Sequence, residues 1–273
     1  MSRAFDHLVL AVDDMDAAAE FYERLGFTLT PRAQHPFGTD NRLAQMQGCF
    51  LELLAVCRLD DISEAADGAF SFGAHNRDFL PGGQGMSMMV LQTTDAAADR
   101  DDFKAAGLTT YEMFDFSRQA QLPDGSAATV GFTLAFASVP ELPEAMAFTC
   151  QQWRPDLFWK SEYQRHANGA QTISEVFLLA NEAVPADRFT AGLGLDPAEA
   201  KVSIMSTDTF AARFAGAAVP DGRFGGFQIA VDDMEAVRTC MGENDIAYED
   251  APQSLWIGPA AGFGCVIEFG EAS

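Results

Sequence analysis

Residues 5–12 form a nearly continuous apolar run, which gives way at Asp13-Asp14 to apolar positions at helical spacing, Met15, Ala18, Tyr22 and Leu25. The run predicts a buried strand, and the spaced positions predict an amphipathic helix that Gly26 ends. Further strands are predicted at Phe27-Thr28-Leu29-Thr30, at 43–46 and at 49–56. Together they make a βαβββ unit.

The same order of patterns returns along the chain. A second unit starts at Met86, where Thr94-Asp95-Ala96-Ala97-Ala98-Asp99 matches Met15-Asp16-Ala17-Ala18-Ala19-Glu20. It runs to about Gln152, with long strands at 111–116 and 127–136 joined by the turn sequence Pro123-Asp124-Gly125. A third, abbreviated unit opens at 172–180. The fourth spans 224–269, with Met234, Val237 and Met241 on one helical face. Ala-Val-Asp-Asp-Met occurs at both 11–15 and 230–234, and Gly48-Cys49-Phe50-Leu51-Glu52-Leu53 returns as Gly264-Cys265-Val266-Ile267-Glu268-Phe269. A repeat of this kind fixes the architecture before any single motif is read. The expected organisation is one pair of units over 1–152, a connecting segment over 153–171 rich in Trp and Phe, and a degenerate pair over 172–273. Residues 60–80, which hold Phe70, Phe72 and Phe79, are too long for a free loop and are expected to pack as an excursion or lid.

Composition narrows the partners. The 273 residues are 48% hydrophobic, enough for a large core, and 40 acidic against 17 basic side chains give a net charge of −23. A field of that sign repels phosphate backbones and anionic lipid, so nucleic acid and membrane are not expected partners. Five cysteines form no C-x-x-C pair and are read as reduced thiols. With no apolar leader and no run of about 18 apolar residues, a cytoplasmic location is expected.

Paired strand-helix-strand-strand-strand units, with an acidic residue on the last strand of the first and the fourth, resemble the vicinal oxygen chelate superfamily of glyoxalases and extradiol dioxygenases. The glyoxalase-like family is the nearer resemblance, through Asp6-His7-Leu8-Val9-Leu10-Ala11-Val12, His35-Pro36-Phe37-Gly38-Thr39-Asp40-Asn41 and Phe50-Leu51-Glu52-Leu53. The resemblance implies an α+β fold in which βαβββ units pair into curved mixed sheets, forming an open barrel or cup. It also implies a divalent metal in the cup, held from the first and last strands of each unit.

His7 and Glu52 are ionisable groups on otherwise apolar strands, where each must be paired, neutralised or metal-bound. Both fall on the ligand strands of the superfamily. Imidazole and carboxylate suit Zn, Mn, Fe, Co or Ni, and no organic cofactor is expected. In the second unit Met86 takes the place of His7, and Gln152, after Cys150-Gln151, stands where the family carries a histidine; Gln152 is the expected third ligand. In the second half Glu175 and Glu268 take the ligand positions and Gly226 removes a side chain, so that half reads as mainly structural. His35 is the candidate catalytic acid or base, and His166, Asn168 and Trp153 are candidate substrate contacts at the rim. The expected function is a metal-dependent enzyme acting on a small vicinal-oxygen substrate as isomerase, lyase or dioxygenase. The alternative is a metal-free protein of the same fold that sequesters a small molecule. A small-molecule ligand is the expected partner, and a homodimer is allowed.

Overall fold

The computed structural model describes residues 3–121, 127–181, 184–220 and 222–272. The chain begins with β1 (Phe5–Val12), α1 (Met15–Arg24), β2 (Ala33–Gln34), β3 (Thr39–Gln45) and β4 (Phe50–Val56). Asp14 caps α1 by accepting from the Asp16 and Ala17 backbone N–H groups, as the acidic pair after the first strand predicts. Phe27-Thr28-Leu29-Thr30 is not a paired strand. It touches β3 through one backbone bond, Thr30 N–H to Leu43 O, and the ladder forms instead at Ala33–Gln34.

Residues 60–80 fold over one face of the sheet, ending in α2 (Phe72–Phe79), and the second unit follows as β5 (Gly85–Gln92), α3 (Ala96–Ala105), β6 (Thr109–Thr110), β7 (Phe114–Gln121), β8 (Ala127–Ser138) and β9 (Met146–Gln152). The turn expected at Pro123-Asp124-Gly125 lies outside the described residues. Then come α4 (Pro155–Phe158), β10 (Ala170–Leu179), α5 (Val184–Gly192), β11 (Lys201–Met205), α6 (Thr207–Arg213), β12 (Phe224–Val231), α7 (Met234–Glu243), β13 (Glu249–Ala251), β14 (Ser254–Ile257) and β15 (Val266–Glu271).

The strands make two mixed sheets, neither closed into a barrel. The first runs β2-β3-β4-β1-β5-β9-β8-β6 with β7 added beside β8, and the second β11-β10-β12-β15-β14-β13. Each is built about the same seam. β1 lies antiparallel to β5 with parallel partners β4 and β9 outside, and β10 lies antiparallel to β12 with parallel partners β11 and β15 outside. The repeat in the sequence is thus a repeat of strand pairing. The third unit is short because β11 is followed by α6 and not by two more strands.

Alternation along the strands sorts side chains between two faces. Leu8, Leu10 and Val12 join a large core that also takes in α1, α3, α7 and one face of the second sheet. Val9, Leu54, Met88, Val90, Phe132, Leu134, Phe136 and Phe148 face the other way into a separate aromatic cluster covered by Phe72 of α2. Phe70 stacks on Phe136 at 4.0 Å between centroids. The segment expected to act as a cover is therefore packed down over the cup.

Candidate active site

The concave face of the first sheet holds a small cavity of about 40 Å³ lined by Phe37, Phe50, Phe72, Phe116, Phe132, Phe148 and Phe158 among others, with His7, His35, Asn41, Glu52 and Arg118. His7 comes from β1, Glu52 from β4 and Asn41 from β3, three neighbouring strands of the first unit. His7, His35 and Glu52 are each only 5% exposed.

A bulge places the first of these groups. The β1–β5 register skips Asp6 between Phe5 and His7, so two consecutive side chains reach the same side of the strand. His7 Nδ1 donates to Asp6 Oδ1 at 2.6 Å, and the ring lies flat on Phe50, 4.2 Å between centroids and 12° between planes. This fixes the tautomer and turns the Nε2 lone pair toward Glu52 Oε2, 3.5 Å away. Two acceptors facing each other need a positive charge between them, either a proton or a metal ion. Asn41 Nδ2 donates to Glu52 Oε1 at 2.6 Å. Burial raises the Glu52 carboxyl above its ordinary value, against the opposing pull of His7, Asn41 and Arg118.

His35 is also brought into the cup, 3.8 Å from Glu52 Oε1, but both ring nitrogens are engaged. Its Nδ1 donates to Thr39 Oγ1 at 2.8 Å, and its Nε2 accepts from Asn41 at 3.3 Å. Burial, aided by the charge of Arg118, pushes its pKa down to about 3, so the ring stays neutral across the physiological range.

Among the described residues the second unit places no histidine or acidic side chain in the cavity wall beside this pair. Gln152 Nε2 donates to Asp6 Oδ2 at 3.3 Å, so it supports the carboxylate that orients His7. The β9 register explains why. Met146 pairs with Met88, the residue beside Val9 and hence level with Glu52, whereas Gln152 lies six residues farther along. Met86 packs in the large core, turned from the cup where the register slips between Val9 and Leu10. Among the described residues no three His, Cys, Asp or Glu side chains come together as metal ligands. Two protein donors fall short of the three that a catalytic zinc ordinarily keeps, so the residues present do not complete a resident metal site.

The expected rim contacts have other partners. His166 accepts from Thr28 N–H at Nδ1 (3.0 Å) and donates from Nε2 to Gln45 O (2.7 Å). Asn168 is buried against the end of α1, donating to Leu25 O and accepting from Ala170 N–H. Trp153 is half exposed; its indole N–H donates to Thr133 Oγ1 and its ring covers Gly131. All three hold backbone or strand edges together outside the cup. Asn41 and Arg118 in the cup wall, and Asp6 behind His7, are the residues to which the sequence reading gave no role in the site.

In the second sheet the corresponding concave face is filled. Phe210 and Phe214, from and just after α6, pack on Phe177 and Trp256. Glu175 pairs with Lys201 at 2.8 Å, Glu268 accepts from Ser254 at 2.7 Å, and Arg213 reaches both carboxylates, at 3.8 and 2.8 Å. Both carboxylates are thus paired with cations of the protein itself.

A family match over most of the chain places this protein among the glyoxalase-like members of the vicinal oxygen chelate superfamily. The Glyoxalase-like domain profile matches residues 5–194, and the chain belongs to that family. A hypothetical protein from Staphylococcus aureus has a similar structure, with a TM-score of 0.70 at 14% identity over 98% of this chain and 99% of that one. A triple mutant of 4-hydroxymandelate synthase from Streptomyces coelicolor aligns with a TM-score of 0.57 at 10% identity, covering 100% of this chain and 95% of that one. A xylose isomerase-like TIM barrel/4-hydroxyphenylpyruvate dioxygenase fusion protein gives 0.55 at 10% identity, over 100% of this chain and 50% of the other. No curated protein matches the sequence. Among the described residues no helix is long and apolar enough to cross a membrane.

Proposed function

We propose that this protein is an enzyme of the vicinal oxygen chelate superfamily that moves a proton on a small, largely apolar, oxygen-bearing molecule held in the phenylalanine-lined cup. The observation that carries the reading is Glu52: a buried carboxyl with raised proton affinity, on a cavity wall, aimed at the lone pair of an imidazole held by Asp6. In this reading Glu52 is the catalytic acid and base, and His7 shares its proton. Asn41 holds the carboxyl in place, and neutral His35 fixes Asn41 in turn. The proton-carrying role expected of His35 is thereby assigned to Glu52. The phenyl rings exclude water and hold the apolar part of the ligand.

The facing acceptors of His7 and Glu52 favour one further reading, in which a divalent ion enters together with the substrate and takes its remaining ligands from substrate oxygens and water. The experiment is hydrogen exchange in D2O, followed by NMR, over a panel of aryl ketones and keto acids, with metal analysis of untagged protein. Exchange beside a carbonyl by wild type, lost in Glu52→Gln, is the expected result. Exchange that appears only when Zn or Mn is added would select the metal reading. Saturable binding without exchange would show a sequestering protein.

A further inference from the structure

Arg118 does not belong to the proton-moving group, yet it stands in the wall of the same cavity. It lies on β7 two residues beyond Phe116 and four beyond Phe114, so the strand period puts all three on one face. Its ladder partner Val130 is part of the cup cluster. Burial lowers the proton affinity of the guanidinium, which Glu52 partly restores across the cavity. Among the described residues, no carboxylate is in ion-pair contact with it.

Arg118 also marks the way in. Together with Asn41, Leu43 and Phe158 it lines both the inner cavity and an adjoining groove of about 790 Å³ that opens to solvent. Among the described residues, the charged groups lining that groove are Arg32, Arg118, Lys160 and Glu162; Arg32 is already paired with Asp40 at 2.8 Å and Asp16 at 3.5 Å, which leaves Arg118 and Lys160 against Glu162. This basic excess sits on a chain whose net charge is −23. A local reversal of sign at the mouth of a low-dielectric cup attracts anions that the rest of the surface repels.

We infer that the substrate is an anion, an aryl or similarly apolar carboxylate whose charged end pairs with Arg118 at the mouth while its apolar body enters the phenylalanine cup. The inference rests on the reading of the cup as a small-molecule site. The guanidinium fork suits a carboxylate, which it takes through two parallel hydrogen bonds. This orientation sets the bonds next to the ring-bearing end of the molecule beside Glu52.

The test uses matched acids and amides: benzoate, phenylacetate and trans-cinnamate against benzamide, phenylacetamide and trans-cinnamamide, measured by calorimetry on the full-length protein. Wild type is expected to bind at least one acid roughly tenfold or more tighter than its amide, as a charge-assisted hydrogen bond is stronger than a neutral one. Arg118→Gln should erase that preference by weakening the acid and leaving the amide unchanged, and Arg118→Lys should keep part of it. Equal binding of acid and amide by wild type would overturn the anion inference and leave the cup reading standing. An equal loss of both ligands in Arg118→Gln would also overturn it, with or without a loss of folding, because the wild-type comparison is made independently. If neither acids nor amides bind, the cup reading falls and the inference with it.

Discussion

His35 should make the protein acid-labile by an amount that follows from its position. In the unfolded chain its pKa is the ordinary 6.5, and in the folded cup burial holds it at about 3. The folded value is depressed, so the unfolded state takes up the proton first. The corresponding stability is complete above the unfolded value and is lost as pH falls toward the folded one. Between about pH 7.5 and about pH 5 the loss is RT ln(1 + 10^1.5), about 2 kcal/mol, nearly all of it before ordinary carboxylates titrate. The perturbation is His35→Gln, which keeps a polar side chain beside Thr39 and Asn41 and cannot be protonated. It also loses the stacking of the ring on Phe37, a fixed cost at every pH. Urea denaturation of both proteins at the two pH values gives the answer as a difference of differences, in which the other histidines cancel. Wild type should lose about 2 kcal/mol more than the variant. Equal losses, or a His35 NMR resonance that titrates near 6.5, would refute the assignment of a buried neutral ring.

Three other perturbations probe the rest of the structure. Glu52→Gln should leave the thermal midpoint unchanged or slightly higher while abolishing hydrogen exchange, because the site favours the uncharged carboxyl that glutamine imitates; marked destabilisation would make Glu52 a structural anion. Arg213→Met should cost on the order of 3 kcal/mol by leaving the buried Glu268 carboxylate without a cation while Glu175 keeps Lys201, with substantial recovery in the double variant that also carries Glu268→Gln; a single variant as stable as wild type by denaturant titration would contradict the role assigned to Arg213. Gly131→Ala would bring a Cβ within 2.1 Å of the Trp153 ring, so a loss of about 1 to 3 kcal/mol and a shift in tryptophan fluorescence are expected, and an unchanged spectrum would refute the packing.

Much of this architecture could be read from the chain because it is written twice. The repeated Ala-Val-Asp-Asp-Met placed Asp14 and Asp233 at helix starts, and both cap those helices. His7 and Glu52 stood out because a strand buried on both faces has little use for an ionisable group. Their neighbours were harder to see. Asp6 looks like a solvated strand end until a bulge swings it beside His7, and no local pattern announces a bulge. Asn41 has the composition of a turn residue but lies within a strand. Arg118 faces Glu52 across the cavity only through the pairing of two units, with α2, β5, α3 and β6 lying between the two residues along the chain. Gln152 was placed by its neighbours in sequence, whereas its reach depends on strand register. His166 and Asn168 sit in a glycine-containing loop like rim residues, yet each reaches back to backbone groups of a unit more than a hundred residues earlier.

The plugged face of the second sheet gives the molecule an internal control. Two related concavities share a polypeptide, a solvent and a history of duplication, and they differ in whether a short helix carrying one arginine occupies the hollow. One hollow can therefore be filled without disturbing the interlayer core, which both sheets build from the faces opposite their concavities. The filled copy also shows how this architecture closes such a hollow: a cation between the carboxylates and two phenyl rings in the void. Transplanting those features into the open copy would be a direct way to convert an open hollow into packed interior.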